Sequence, residues 1–186
     1  MARYLPVQPD AANDKVQKLY SEIESEMGFV PNFIKTWAHS DNFVESIVSL
    51  YGTVTGETSL SEKIRWLVIL KTCQTNKCAY SVSHAIKRAR EVGWSDEQLD
   101  SMDQYVESDL FAYYEKEAIM LAEWTTLRPD DLQEEFWMQL DNHYTSDQVV
   151  EMITLIGFFN MVNRLVLVLE VEADPQVSAV LDNVGN

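Results

Sequence analysis

Leu60-Ser61-Glu62-Lys63-Ile64-Arg65-Trp66-Leu67-Val68-Ile69-Leu70-Lys71-Thr72-Cys73-Gln74-Thr75-Asn76-Lys77-Cys78-Ala79-Tyr80-Ser81-Val82-Ser83-His84 decides the fold of this chain. Ser59-Leu60-Ser61-Glu62 opens a long helix, with Ile64, Leu67, Val68 and Leu70 as its apolar stripe. Between Cys73 and Lys77 the pattern turns polar, which places a break or kink there. A new helix starts near Cys78 and stops at Gly93. Within its first two turns lie a thiol, hydroxyls and an imidazole. At about 100° per residue, Ser81 falls one turn beyond Cys78 on nearly the same face. His84 falls one turn beyond Ser81, but roughly 120° round from Cys78. The spacing allows a relay Cys78–Ser81–His84, direct or through water, and disfavours a direct Cys–His pair. A thiol attacks only as its thiolate, which a helix N-terminus favours. Cys78 is therefore expected to ionise more readily than Cys73, which ends an apolar helix.

Outward from this stretch the helical pattern continues. Helices are predicted over 10–27, 32–39, 41–52, 95 onward, 111–127, 130–142 and 145–170, with no strand-like alternation and no Gly/Ser/Pro-rich linker. The expected fold is a single all-α domain over 1–186, an N-terminal helical extension of about 1–55 preceding a core of about 56–175. Leu60-Ser61-Glu62-Lys63 and Thr145-Ser146-Asp147-Gln148 both open apolar helices. Laying Ser61 on Ser146 sets Cys78 opposite Asn163 and Trp66 opposite Glu151, as a duplicated helical hairpin or a chance likeness of two capped helices would.

The net charge of −16 argues against nucleic acid and anionic membrane surfaces as partners. The apolar segment 152–169 is interrupted by Asn160, Asn163 and Arg164 and reads as a core or interface helix, not a membrane span. Being apolar nearly all round, it predicts self-association. Two cysteines are no disulfide scaffold, and the N-terminus has no apolar run of signal length, so a cytoplasmic setting is expected. No metal spacing, phosphate-binding glycine loop or nucleophile elbow is present, and no cofactor is expected.

Three further stretches bear a resemblance. Gly28-Phe29-Val30-Pro31-Asn32 follows the first helix. Leu60-Ser61-Glu62 leads to Asn76-Lys77-Cys78-Ala79-Tyr80-Ser81 and Val92-Gly93-Trp94-Ser95. Tyr144-Thr145-Ser146-Asp147-Gln148-Val149-Val150-Glu151 leads to Asn160-Met161-Val162-Asn163-Arg164. Together they resemble the carboxymuconolactone decarboxylase/AhpD-like superfamily, in its longer peroxidase-related branch, over about residues 5–175. The resemblance implies an all-α homo-oligomer (dimer, trimer or hexamer) and, in thiol-active members, a Cys-x-x-Cys pair aided by a Glu and a His. Here the first cysteine position is Cys78 and the second is Ser81. The usual His position is Ala85, one residue beyond His84, and the Glu position falls on Trp66 or Ile64. A Cys-x-x-Ser pair cannot close a disulfide.

Three readings follow. In the first, an AhpD-like thiol peroxidase or oxidoreductase acts on a hydroperoxide with Cys78 as nucleophile, Ser81 as bridge and His84 as proton carrier. In the second, a carboxymuconolactone-decarboxylase-like lyase uses His84 as acid and base on a small carboxylated lactone, with Arg164 as carboxylate clamp. In the third, the motif has decayed in a non-catalytic oligomeric scaffold. Tyr80, Trp66, Asn163 and Arg164 are the candidate substrate contacts. Each has a plainer reading: packing for Tyr80 and Trp66, a buried network for Asn163, and a partner for Glu151 for Arg164 from a neighbouring helix or subunit. Cys78 itself reads as a nucleophile or as a buried structural thiol, and Cys73 as core or, across the kink, as a redox partner within disulfide range of Cys78.

Overall fold

The computed structural model describes residues 2–178, which among themselves contain helices and no strand. Ten α-helices follow one another: α1 (Asp14–Met27), α2 (Asn32–Trp37), α3 (Asp41–Thr55), α4 (Glu62–Thr75), α5 (Ala79–Glu91), α6 (Asp96–Asp100), α7 (Tyr113–Leu127), α8 (Glu134–Leu140), α9 (Ser146–Val168) and α10 (Pro175–Ser178).

Helix α4 is the axis of the molecule. Every residue from Ile64 to Cys73 is buried, because α5, α7 and α9 pack around it. Ser61 caps it by accepting from the Ile64 N–H at 3.3 Å. A helix enclosed on all sides must satisfy its charged side chains internally. Arg65 donates to the carbonyls of Thr55 (3.2 Å) and Leu60 (2.9 Å). Lys71 pairs with Glu123 at 2.9 Å beside the Tyr105 ring.

Helix α9 lies against α4, α7 and α3. It is long and apolar enough to cross a bilayer, but half of its most apolar stretch is buried inside the fold. Thr145 is its N-cap, and Gln148, three residues on, accepts from the Thr145 N–H at 3.0 Å and donates to the Ser59 carbonyl at 3.0 Å. Glu151 finds its partners on the segment that leads into α4: the Ser59 hydroxyl (2.9 Å) and the N–H groups of Ser59 and Leu60 (both 3.2 Å). Burial alone would raise its carboxyl, but these bonds outweigh that and hold it below the usual range. Within the chain Arg164 is not its partner; it is exposed and donates to the Asn160 carbonyl at 2.8 Å. The two caps set Ser61 opposite Thr145, one residue off the alignment suggested by the sequence. Moreover α9 runs unbroken where α4 stops.

Several boundaries differ from expectation. The span 10–27 divides into a short 3₁₀ turn, Pro9–Ala11, and α1, because Asn13 captures the Val16 N–H at 3.0 Å and restarts the helix. The span 130–142 shrinks to α8, since Gln133 is extended and the chain after Pro129 is held as a turn by the Asp131 N–H to the Arg128 carbonyl. Helix α10 is unforeseen, and it brings in a residue that the site depends on.

Candidate active site

The break after α4 is where the sequence places it, and Lys77 takes the left-handed conformation there (φ 55°). Cys78 is the N-cap of α5, and its N–H donates back to the Cys73 carbonyl at 3.1 Å. Its side chain points inward and is wholly buried, with Sγ donating to Ser81 Oγ at 3.4 Å. Cys73 is equally buried. Burial pushes the Cys73 thiol far above its usual range, and the neighbouring Asn163 and Ser81 side chains recover only part of that shift. It is therefore a neutral thiol at physiological pH.

These positions predict a labelling result. Ellman's reagent should release no thiol from the native protein over minutes and two per chain after unfolding, the number of free cysteines. One thiol titrating in the native state would show that Cys78 opens to solvent.

His84 is differently placed. It is partly exposed, and its Nε2 lies 2.9 Å from Oδ2 of Asp174, a carboxylate that is only 2% exposed. The same carboxylate accepts from the Tyr80 hydroxyl and, through Oδ1, from the Asn32 N–H at 2.9 Å. Tyr80 in turn accepts from the Phe33 N–H at 3.2 Å, and its ring lies against that of His84, with centroids 4.9 Å apart. Burial first, and then the Asp174 charge, hold the Tyr80 phenol well above its usual range, so it stays protonated and remains a donor. An ionised carboxylate only accepts. His84 therefore carries its proton on Nε2 when neutral, leaving the Nδ1 lone pair for other work.

A cavity of about 470 Å³ opens between α1, α3, α4, α5 and α9. His84, Ser81 and Tyr80 line it from α5, Trp66 from α4, and Phe159 from α9. Neither Cys73 nor Cys78 lies on its wall, so Cys78 stands one hydrogen bond behind Ser81. Two cations line it, Lys87 and Arg88. Both are engaged: Lys87 with Glu91 at 3.4 Å, and Arg88 with Glu91 at 2.6 Å and Glu62 at 3.7 Å.

Of the residues expected from sequence, the structure brings Tyr80, Ser81, His84 and Trp66 to one cavity. Cys78 lies behind it. Asn163 is fully buried beside Cys73, off the cavity wall. Arg164 is outside altogether, so it cannot clamp a ligand in this cavity; Arg88 is the guanidinium that faces it. Asn160 serves the helix junction, accepting from Asn76 at 2.7 Å and donating to Thr126 at 3.2 Å. Nothing in the sequence singles out Asp174. Its place before Pro175 marks a helix start, but gives no sign of a partner on α5. Among the described residues no three His, Cys, Asp or Glu side chains are grouped as metal ligands.

Residues 41–104, which include α4, the break and α5, match the model of the Carboxymuconolactone decarboxylase family. Over that stretch, about a third of its length, the chain is similar to the carboxymuconolactone decarboxylase family. The match begins at Asp41, the first residue of α3. Uncharacterized protein YdfG of Bacillus subtilis is 27% identical over 112 residues, 60% of this chain and 76% of the relative. Among solved structures, a variant of the debrominase Bmp8 in complex with 2,3,4-tribromopyrrole superposes with a TM-score of 0.84 at 18% identity, covering 97% of this chain and 96% of that one. A peroxidase-related protein from Silicibacter sp. TM1040 gives 0.84 at 19% identity, with 95% of this chain and 93% of that one covered. At such identities the superpositions establish the AhpD-like fold of the chain, and nothing about its reaction.

Proposed function

We propose that the protein is an acid–base enzyme that moves a proton on a small, uncharged ring carbonyl compound, with His84 as the base and then the conjugate acid. The placement of His84 carries this reading. Its ring lines the cavity while its Nε2–H is held from behind by a buried carboxylate, the arrangement that presents an imidazole lone pair in fixed orientation. A lactone is the substrate class that the family match favours. Nδ1 would take a proton from the carbon next to the carbonyl, the electron pair would pass through the enolate, and the imidazolium would return the proton to the γ carbon. The double bond migrates and nothing is oxidised. An uncharged substrate is favoured because both cations on the wall already have carboxylate partners.

The probe is α-angelica lactone, whose conversion to its conjugated isomer is this proton shift and is followed by ultraviolet absorbance. Wild-type protein should accelerate it over buffer, and Cys78→Ala should keep the rate within about twofold. No acceleration, or loss of rate in a folded Cys78→Ala variant, would overturn the reading.

Thiol-dependent reduction of a hydroperoxide is the second reading, favoured by the Cys78–Ser81 contact that reaches the cavity wall. It ranks lower because both thiols are sealed and Ser81 stands where a second thiol would be needed.

For assembly, we propose that copies of the chain associate through α9, where Val150, Ile153, Met161, Leu167 and Val168 remain exposed. Light scattering at micromolar concentration should show an oligomer, and Val150→Asp with Met161→Asp should reduce it to a monomer. A monomeric wild-type protein would refute this.

A further inference from the structure

The Trp66 indole is 3% exposed and lines the cavity, yet its Nε1–H meets no acceptor among the described residues. Buried donors in folded proteins are nearly always met, and an unmet one is costly. The contrast within this chain is direct: the equally buried Trp94 donates its Nε1–H to the Lys63 carbonyl at 2.9 Å. The Trp66 ring is also fixed in place. It stands on the enclosed helix α4, and the Arg88 guanidinium lies 5.3 Å from its centroid. Across the same cavity, α3 contributes Gly52, where an added Cβ would meet nothing within 4 Å. A glycine inside a helix costs stability and here serves no close packing, so its effect is to leave room in the cavity.

We infer that the Trp66 Nε1–H is a specificity-determining donor that receives an uncharged acceptor, a carbonyl oxygen, on the ligand. This rests on the cavity being the substrate site, as proposed above. Trp66 offers a neutral N–H and no charge, and the cations on the wall are paired; a ketone, ester or lactone oxygen fits this better than a carboxylate.

The test uses two probes of the same shape, acetophenone and α-methylstyrene, which differ by C=O against C=CH₂. The five tryptophans give five indole N–H resonances in a ¹⁵N–¹H spectrum, and Trp66→Phe identifies that of Trp66. Acetophenone should bind and move this resonance downfield, whereas α-methylstyrene should bind without doing so. The ratio of the two dissociation constants should shift against acetophenone by about 3- to 10-fold in Trp66→Phe, the worth of one neutral hydrogen bond. Binding of both probes with a still indole resonance, or with an unchanged ratio in a folded variant, overturns the indole contact alone. Failure of both probes to bind at millimolar concentration overturns the substrate-site reading and this inference with it. The shift in the wild-type spectrum keeps the test decisive even where Trp66→Phe fails to fold.

Discussion

Replacing His84 by Ala is expected to lower the isomerisation of α-angelica lactone by roughly 10²- to 10³-fold, the range of general acid–base catalysis by a positioned side chain. The fold should survive, because His84 is partly exposed and its loss leaves Asp174 still bonded to Tyr80 and Asn32. Asp174→Asn separates orientation from chemistry. An amide at position 174 can present an N–H toward His84, which would turn the imidazole to the other tautomer and tie up the lone pair used for proton removal. A kcat lower by about tenfold or more, with little change in KM, is expected. Equal rates for wild type and His84→Ala would remove His84 from the mechanism.

A second large effect is expected from Ser81→Cys. Ser81 Oγ is 3.4 Å from Cys78 Sγ and lines the cavity. A thiol at position 81 would meet a peroxide from the cavity side. Its sulfur would take one peroxide oxygen to become a sulfenic acid, releasing the alcohol, and Cys78 would displace water to close a disulfide. An added dithiol returns both sulfurs to the thiol state. Wild type lacks the second sulfur and should show almost no turnover of tert-butyl hydroperoxide with dithiothreitol; the variant should exceed it by about tenfold or more. Efficient turnover by the wild-type protein would show that Cys78 acts alone.

Much of this architecture is legible in the sequence, for identifiable reasons. The Ser61 cap, the continuous apolar run of α4, the polar break at 73–77 and the stop at Gly93 are local signals, and each lies where the structure has it. The meeting of Tyr80, Ser81 and His84 on one face follows from helical spacing. The burial of Cys78 is not legible in the same way, because a residue at a helix N-cap can point inward or outward, and here the packing of α4, α5 and α9 decides. Arg88 lies one turn beyond His84 and is reachable by the same spacing; Arg164 stands out in the sequence as a lone charge on an apolar helix, which the fold simply leaves on the outside. Asp174 is invisible for a different reason. Its partner on α5 is 90 residues away, and no periodicity links a loop carboxylate to a helix that distant.

That separation also bears on how the protein comes into being. With 90 residues between them, His84 leaves the ribosome roughly 5 to 20 s before Asp174, at ordinary rates of synthesis. In that interval α5 can form and pack on α4 while its imidazole has no fixed tautomer. The hydrogen bonding that fixes the His84 ring is therefore completed in one late event, the docking of the Asp174 segment against α2 and α5. Until then a nascent chain can be compact while this site is unfinished.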